Sequence, residues 1–283
     1  MKKTLALFLS VALLVVLTSC GAAITTPDPP DPPEDPVPVV EPISIPSGPA
    51  KTQSETLSET PSEPIAEAPD QPKTQKILYL RSKTDGLNVR AGAGTNYAVL
   101  GALDKDDMVA YYGQTGDWYE TVYRNKTAYV SAKYLSIVEF SPADDQTEEV
   151  VALGCRLLGT PYVYGATRLH DGKGNFLSGF SDQKFDCSSF MQYLFYYGKE
   201  ILLDVTTRTQ VKQGDPVELS EIKRGDLLFF TNASRKNNVG IEKIGHVALY
   251  LGDGYLLHTA SDHAVIEPLS PTRRANLLFA RRF

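Results

Sequence analysis

Three residues of this chain have the types and the spacing for covalent hydrolysis. Cys187 lies in Phe185-Asp186-Cys187-Ser188-Ser189-Phe190, His246 opens the strand-like run Gly245-His246-Val247-Ala248-Leu249-Tyr250, and His258 follows in Leu256-Leu257-His258-Thr259-Ala260. A thiol attacks a carbonyl as its thiolate, so it needs a base to take its proton and a second polar group to orient that base. Cys187 supplies the nucleophile, His246 the base and His258 the orienting group.

The elements that must position these groups are legible around them. Cys187 to Tyr197 reads as a helix closed by Gly198, with Cys187, Phe190, Met191, Leu194 and Phe195 on one buried face. The thiol then sits in the first helical turn, where the dipole favours thiolate, and a titration well below the free-cysteine value of about 8.5 would add evidence for catalysis. Glu148 to Leu158 reads as a second helix. Strands follow at Asp226 to Phe230, at His246 and at Tyr255 to Ala260 after Gly252-Asp253-Gly254. A three-residue loop centred on Asp253 places His246 opposite Ala260. His258 is then a diagonal neighbour on the same face, about 7–8 Å away by Cα. A two-residue loop would put the rings on opposite faces.

Upstream, residues 76–137 read as short strands between Gly, Asn and Asp turns, a small all-β barrel. The stretch from Pro27 to Pro72 holds 14 of the 19 prolines and cannot build a core. As polyproline II its 46 residues would reach at most roughly 140 Å. From Gly21 to Lys73 there are ten acidic and two basic residues, a net −8, against a whole-chain −6 and +2 from Lys2 and Lys3. Residues 74–283 therefore sum to zero, which argues against nucleic acid as a ligand. At the start, Met1-Lys2-Lys3 is a basic n-region and Leu5 to Leu17 an apolar h-region too short to span a bilayer.

Several of these runs match known families. Leu17-Thr18-Ser19-Cys20-Gly21 resembles a bacterial lipobox, which implies export and lipidation of Cys20. Leu87-Asn88-Val89-Arg90 with its Gly-rich turn, Gly116-Asp117-Trp118-Tyr119 and Tyr129-Val130-Ser131-Ala132-Lys133-Tyr134-Leu135 resemble bacterial SH3-like domains. Gly159-Thr160-Pro161-Tyr162-Val163-Tyr164-Gly165, the Cys187 run, Arg224-Gly225-Asp226-Leu227-Leu228-Phe229-Phe230, the His246 run and His258 resemble NlpC-type cell-wall cysteine peptidases across residues 145–283. The resemblance implies an α+β, papain-like catalytic domain, with the nucleophile's helix on an antiparallel sheet, preceded by the SH3-like barrel. It also implies hydrolysis of peptidoglycan stem peptides between γ-D-glutamate and a diamino acid. Cys187 would attack, His246 would carry the proton, and His258 would orient it. Tyr162 would assist near the nucleophile, Asp186 would meet a substrate amino group, and Ser188 would line the same pocket.

The resulting organisation is a signal segment at 1–20, a tether at 21–75, the barrel at 76–137 and the peptidase at 145–283. The implied protein is an exported, lipid-anchored monomer at the cell envelope, working on peptidoglycan beside the membrane. Asp186 also serves as a helix N-cap, Tyr162 as a core aromatic and Cys155 as a small buried hydrophobe. His170 and His263 read as surface histidines. No spacing calls for a metal or another cofactor. The connection 167–184 and the loop 231–244, with Arg235, Lys236 and Lys243, are longer than the resemblance leads one to expect, and these basic residues are candidates to meet carboxylates. Amidase or acyl-transfer chemistry, and a non-catalytic wall-binding role, stay open at this point.

Overall fold

The computed structural model describes residues 76–260 and 262–283. The expected signal segment, Cys20 and the Pro-rich tether lie outside the described residues. The first unit has eight strands: β1 (Ile77–Ser82), β2 (Leu87–Arg90), β3 (Val99–Leu103), β4 (Met108–Ala110), β5 (Gly113–Thr115), β6 (Trp118–Tyr123), β7 (Lys126–Ser131) and β8 (Leu135–Phe140). They form a β4-β1-β8 sheet and a β3-β2-β7-β6-β5 sheet. Alternation builds the interior: Leu87 and Val89 of β2 and Ala128 and Val130 of β7 are buried, with polar or half-exposed neighbours between them. The last strand passes residue 137, because Phe140 pairs with Ile77 of β1 and is itself buried.

The second unit comprises α1 (Asp145–Arg156), α2 (Cys187–Lys199), α3 (Thr207–Gln210), β9 (Asp215–Val217), β10 (Leu227–Phe230), β11 (His246–Gly252), β12 (Tyr255–Ala260), β13 (His263–Pro268), α4 (Pro271–Ala275) and β14 (Leu277–Arg282). Its six-stranded antiparallel sheet runs β13-β12-β11-β10-β14-β9. The architecture is α+β. α2 does not stop at Gly198 but runs to Lys199, with Glu200 as a left-handed C-cap at φ 57°. Gly198 instead lets the two helices meet, because a Cβ there would lie 2.7 Å from the backbone nitrogen of Val150 in α1.

The β6–β7 turn ties the barrel to the second unit. A helix leaves its last carbonyls unpaired. Asn125 N–H donates to the Arg156 carbonyl at 2.7 Å, Arg124 N–H to Leu158 at 2.9 Å and Arg124 Nε to Gly159 at 2.7 Å. The barrel thus completes the end of α1, and Tyr123 closes over Gly159. On a second contact, Phe140 stands edge-on to both Tyr79 and Tyr255. Arg224 there donates twice to Glu148, at 2.8 Å each, and to the Tyr79 hydroxyl at 2.9 Å. One contiguous buried cluster runs through both units.

The hairpin carrying the histidines is built differently in detail from the three-residue loop expected. Its tip is Asp253-Gly254, closed by Gly252 opposite Tyr255, with φ of 48° and 77° at the two tip residues. Positive φ at both positions is the two-residue turn whose twist suits a hairpin. A bulge between Tyr250 and Gly252 inserts the extra residue, so that Tyr250 faces Leu256 and Leu249 faces Leu257. The expected register is therefore reached by a bulge and not by the loop.

Candidate active site

α2 starts at Cys187 because Asp186 caps it. The Asp186 carboxylate accepts from Ser189 N–H at 2.8 Å, and the Ser189 hydroxyl accepts from Asp186 N–H at 2.9 Å. This reciprocal capping box satisfies two donors at the helix start and fixes where the nucleophile sits. The same carboxylate accepts from Ser188 Oγ at 3.1 Å and pairs with Arg168 Nη2 at 2.9 Å. Asp186 is 3 % exposed, so an incoming substrate amine would have to compete with Arg168 for it. Arg168 comes from the long connection before the helix and also donates to the Val205 and Ala166 carbonyls. Nothing in its sequence context marked it.

The Cys187 thiol is pushed up to about 12, first by burial and then by the Asp186 carboxylate. The backbone N–H groups of Val247 and Ser188, and Arg168, act the other way. Burial thus favours the neutral thiol. Desolvation here opposes the thiolate that the helix terminus favours. The contact with Val247, the residue after His246, brings the start of α2 against the start of β11.

His246 and His258 share a face and are hydrogen-bonded, Nε2 to Nδ1, at 2.8 Å. His258 Nε2 lies 3.0 Å from Glu267 Oε1. Arg273 reaches the same oxygen with Nε at 3.0 Å and Nη2 at 2.9 Å. Burial holds His246 well below the ordinary histidine range, with His258 and Arg273 adding to it. Burial also lowers His258, against the pull of Glu267. Burial opposes ionisation of Glu267, but His258 and Arg273 outweigh it and bring the carboxyl down to about 2. The shifts favour a neutral thiol and two neutral imidazoles beside an ionised Glu267, with His246, His258 and Glu267 hydrogen-bonded in series.

Tyr162 is half-buried. It bridges to Phe185, two residues before the nucleophile, and its N–H donates to the Asp262 carbonyl at 2.7 Å. Cys187, Asp186, Ser188 and Tyr162 are brought together at the start of α2. His170 is not a surface residue: it is fully buried, accepts from Gly172 N–H at 3.0 Å through Nδ1 and packs on Tyr196. Half-buried His263 holds Asp262. In the 231–244 loop, Arg235 faces Glu242 at 3.8 Å, and Arg208 of α3 reaches the same carboxylate at 3.4 Å. Among the described residues no cluster of His, Cys, Asp and Glu is placed to hold a metal ion.

Comparison with known proteins follows the same division. Residues 159–279 match the NlpC/P60 family and residues 85–136 the bacterial SH3 domain. The chain is 34% identical over 137 residues to the peptidoglycan DL-endopeptidase CwlO of Bacillus licheniformis, covering 48% of this chain and 27% of that one. It is 33% identical over 135 residues to a γ-D-glutamyl-L-lysine dipeptidyl-peptidase of Bacillus subtilis, covering 48% and 39%. Among solved structures, the peptidoglycan hydrolase RipB of Mycobacterium tuberculosis aligns at 28% identity and a TM-score of 0.37, over 48% of this chain and 64% of that one. The match thus spans well under half the length of the two Bacillus relatives. The chain carries an NlpC/P60 domain preceded by a bacterial SH3 domain.

Proposed function

We propose that the protein is an exported cysteine endopeptidase that cuts peptidoglycan stem peptides between γ-D-glutamate and the diamino acid. The observation that carries this reading is the hydrogen-bonded histidine pair at the start of β11 and on β12, set against a capped helix that begins with Cys187. The names of the Bacillus relatives, a DL-endopeptidase and a γ-D-glutamyl-L-lysine dipeptidyl-peptidase, support the choice of bond.

In this mechanism His246 uses the nitrogen not engaged by His258 to take the thiol proton as Cys187 attacks the carbonyl. The oxyanion forms at the α2 N-terminus, where the Cys187 backbone N–H is aimed and the dipole favours negative charge. His258 stabilises the imidazolium. His246 then returns its proton to the departing amine, and water, deprotonated by the same base, hydrolyses the thioester. Tyr162 lines the approach to sulfur, and Asp186 and Ser188 shape the nucleophile's side of the pocket. Cys20 is the proposed lipid anchor, holding a monomer at the outer face of a membrane. The test is incubation of the protein and its Cys187→Ala variant with L-Ala-γ-D-Glu-diamino-acid peptides and with sacculi, products being identified by mass. Cleavage after γ-D-Glu by the first alone supports the reading; cleavage by neither, with sacculus binding retained, replaces it with a wall-binding role.

A further inference from the structure

We infer that Glu267, held by Arg273, is a positioning residue that fixes the tautomers of both histidines and so decides which nitrogen of His246 is free to act as base. The β12–β13 register carries it there. His258 pairs with Val265, so Glu267, two residues further on, is the diagonal neighbour on the same face of the sheet. Arg273 is aimed back at it by α4, whose Ser270 cap accepts from Arg273 N–H at 3.2 Å.

The direction of every hydrogen bond then follows from charge. Arg273 has only donors, and Glu267 is ionised, so the carboxylate has only acceptors. His258 Nε2 must therefore donate to it. His258 is fully buried and neutral, so its Nδ1 is bare and accepts from His246 Nε2. Neutral His246 is left with a bare Nδ1, the one atom able to take a proton from sulfur. Without the carboxylate, His258 is free to place its proton on Nδ1. It would then donate to His246 Nε2, and the remaining proton of His246 would move to Nδ1, leaving no base. The charged and titratable groups facing Glu267 are Arg273 from α4, His258 from β12 and Asp107 from the barrel.

The kinetic part of this inference rests on the proposed peptidase activity; the tautomer part does not. Nitrogen-15 NMR of the full chain with labelled histidine reads the tautomers directly, and both His246 and His258 are expected as Nε2–H forms. An Nδ1–H form of either ring in the resting protein overturns the inference, whether or not the protein cleaves stem peptides. In kinetics, Glu267→Gln is expected to lower kcat about 10- to 100-fold with little change in KM. The limb of the pH profile set by the His246 imidazolium should move to lower pH, because the cation loses its supporting carboxylate. Glu267→Asp should recover part of both. Wild-type kcat and pH profile in a folded Glu267→Gln protein would overturn the inference. If that variant does not fold, the wild-type spectrum still decides.

Discussion

The two described cysteines sit in matching surroundings, and the proposed mechanism uses only one of them. Cys155 on α1 and Cys187 on α2 are both buried, and burial raises both thiols, to about 11 and about 12. Each has a glutamate–arginine pair within its polar neighbourhood: Glu148 with Arg224 beside Cys155, Glu267 with Arg273 behind the relay of Cys187. What separates them is the group in between. Beside Cys155 stands Tyr79, whose phenol is itself raised by burial and is hydrogen-bonded to Arg224. Beside Cys187 begins β11 with His246, whose neutral imidazole is hydrogen-bonded to that of His258 on β12. In the proposed mechanism, reactivity is decided by whether a proton acceptor is available to the thiol, and not by the thiol's resting acidity.

Four substitutions test that contrast, and the largest effect is expected at the proposed nucleophile. Cys187→Ala should lower kcat at least about 10³-fold while leaving the thermal transition intact. Glu148→Gln should act the other way. It leaves the nearly buried Arg224 poorly paired, costing about 3 kcal/mol in a denaturant titration, with kcat unchanged in the folded fraction. An equal loss of kcat would mean that the joint between the units takes part in catalysis.

Asp107→Asn is a test that depends on pH. Burial raises this barrel carboxyl from 3.8 to about 7, with Glu267 among the charges opposing its ionisation. The folded protein therefore binds the extra proton between those values, and stability falls as pH rises from about 4 to about 7. The asparagine variant should lack that slope and be more stable at pH 8 by about 1–2 kcal/mol, after discounting for partial solvent access. Thermal melts at pH 5 and pH 8 would show it; parallel curves would refute it. The smallest effect is expected from Cys155→Ala, about 1 kcal/mol of stability for a small buried side chain and kcat within a factor of two.

The helix that begins at Cys187, the shared face of the two histidines and both structural units were legible in the sequence, because each is marked by periodicity or by a run of several residues. Glu267, Arg273 and Arg168 were not. Glu267 stands in His263-Ala264-Val265-Ile266-Glu267-Pro268, an ordinary strand whose acidic residue reads as solvent-facing. A signal was nevertheless present. The diagonal-neighbour rule that joined His246 to His258 across one hairpin, applied again across the next, reaches Glu267. Arg168 had no such signal, since an irregular connection has no period. The burial that opposes ionisation of the Cys187 thiol was not legible either, because a helix terminus is visible in a sequence whereas depth of burial is not. His170 was misplaced for the same reason: a loop can be buried when its polar groups, such as His170 Nδ1, find partners within it.

The bulge between Tyr250 and Gly252 also gives the histidine hairpin a rule of parity. Removing one residue at the tip, or smoothing out the bulge, turns one ring to the opposite side of the sheet and disconnects the base from its support. Adding or removing two residues preserves the side on which each ring lies. Length changes compatible with the relay in this hairpin therefore come in even steps, as codons tolerate insertions only in threes, although the tip itself touches none of the catalytic groups.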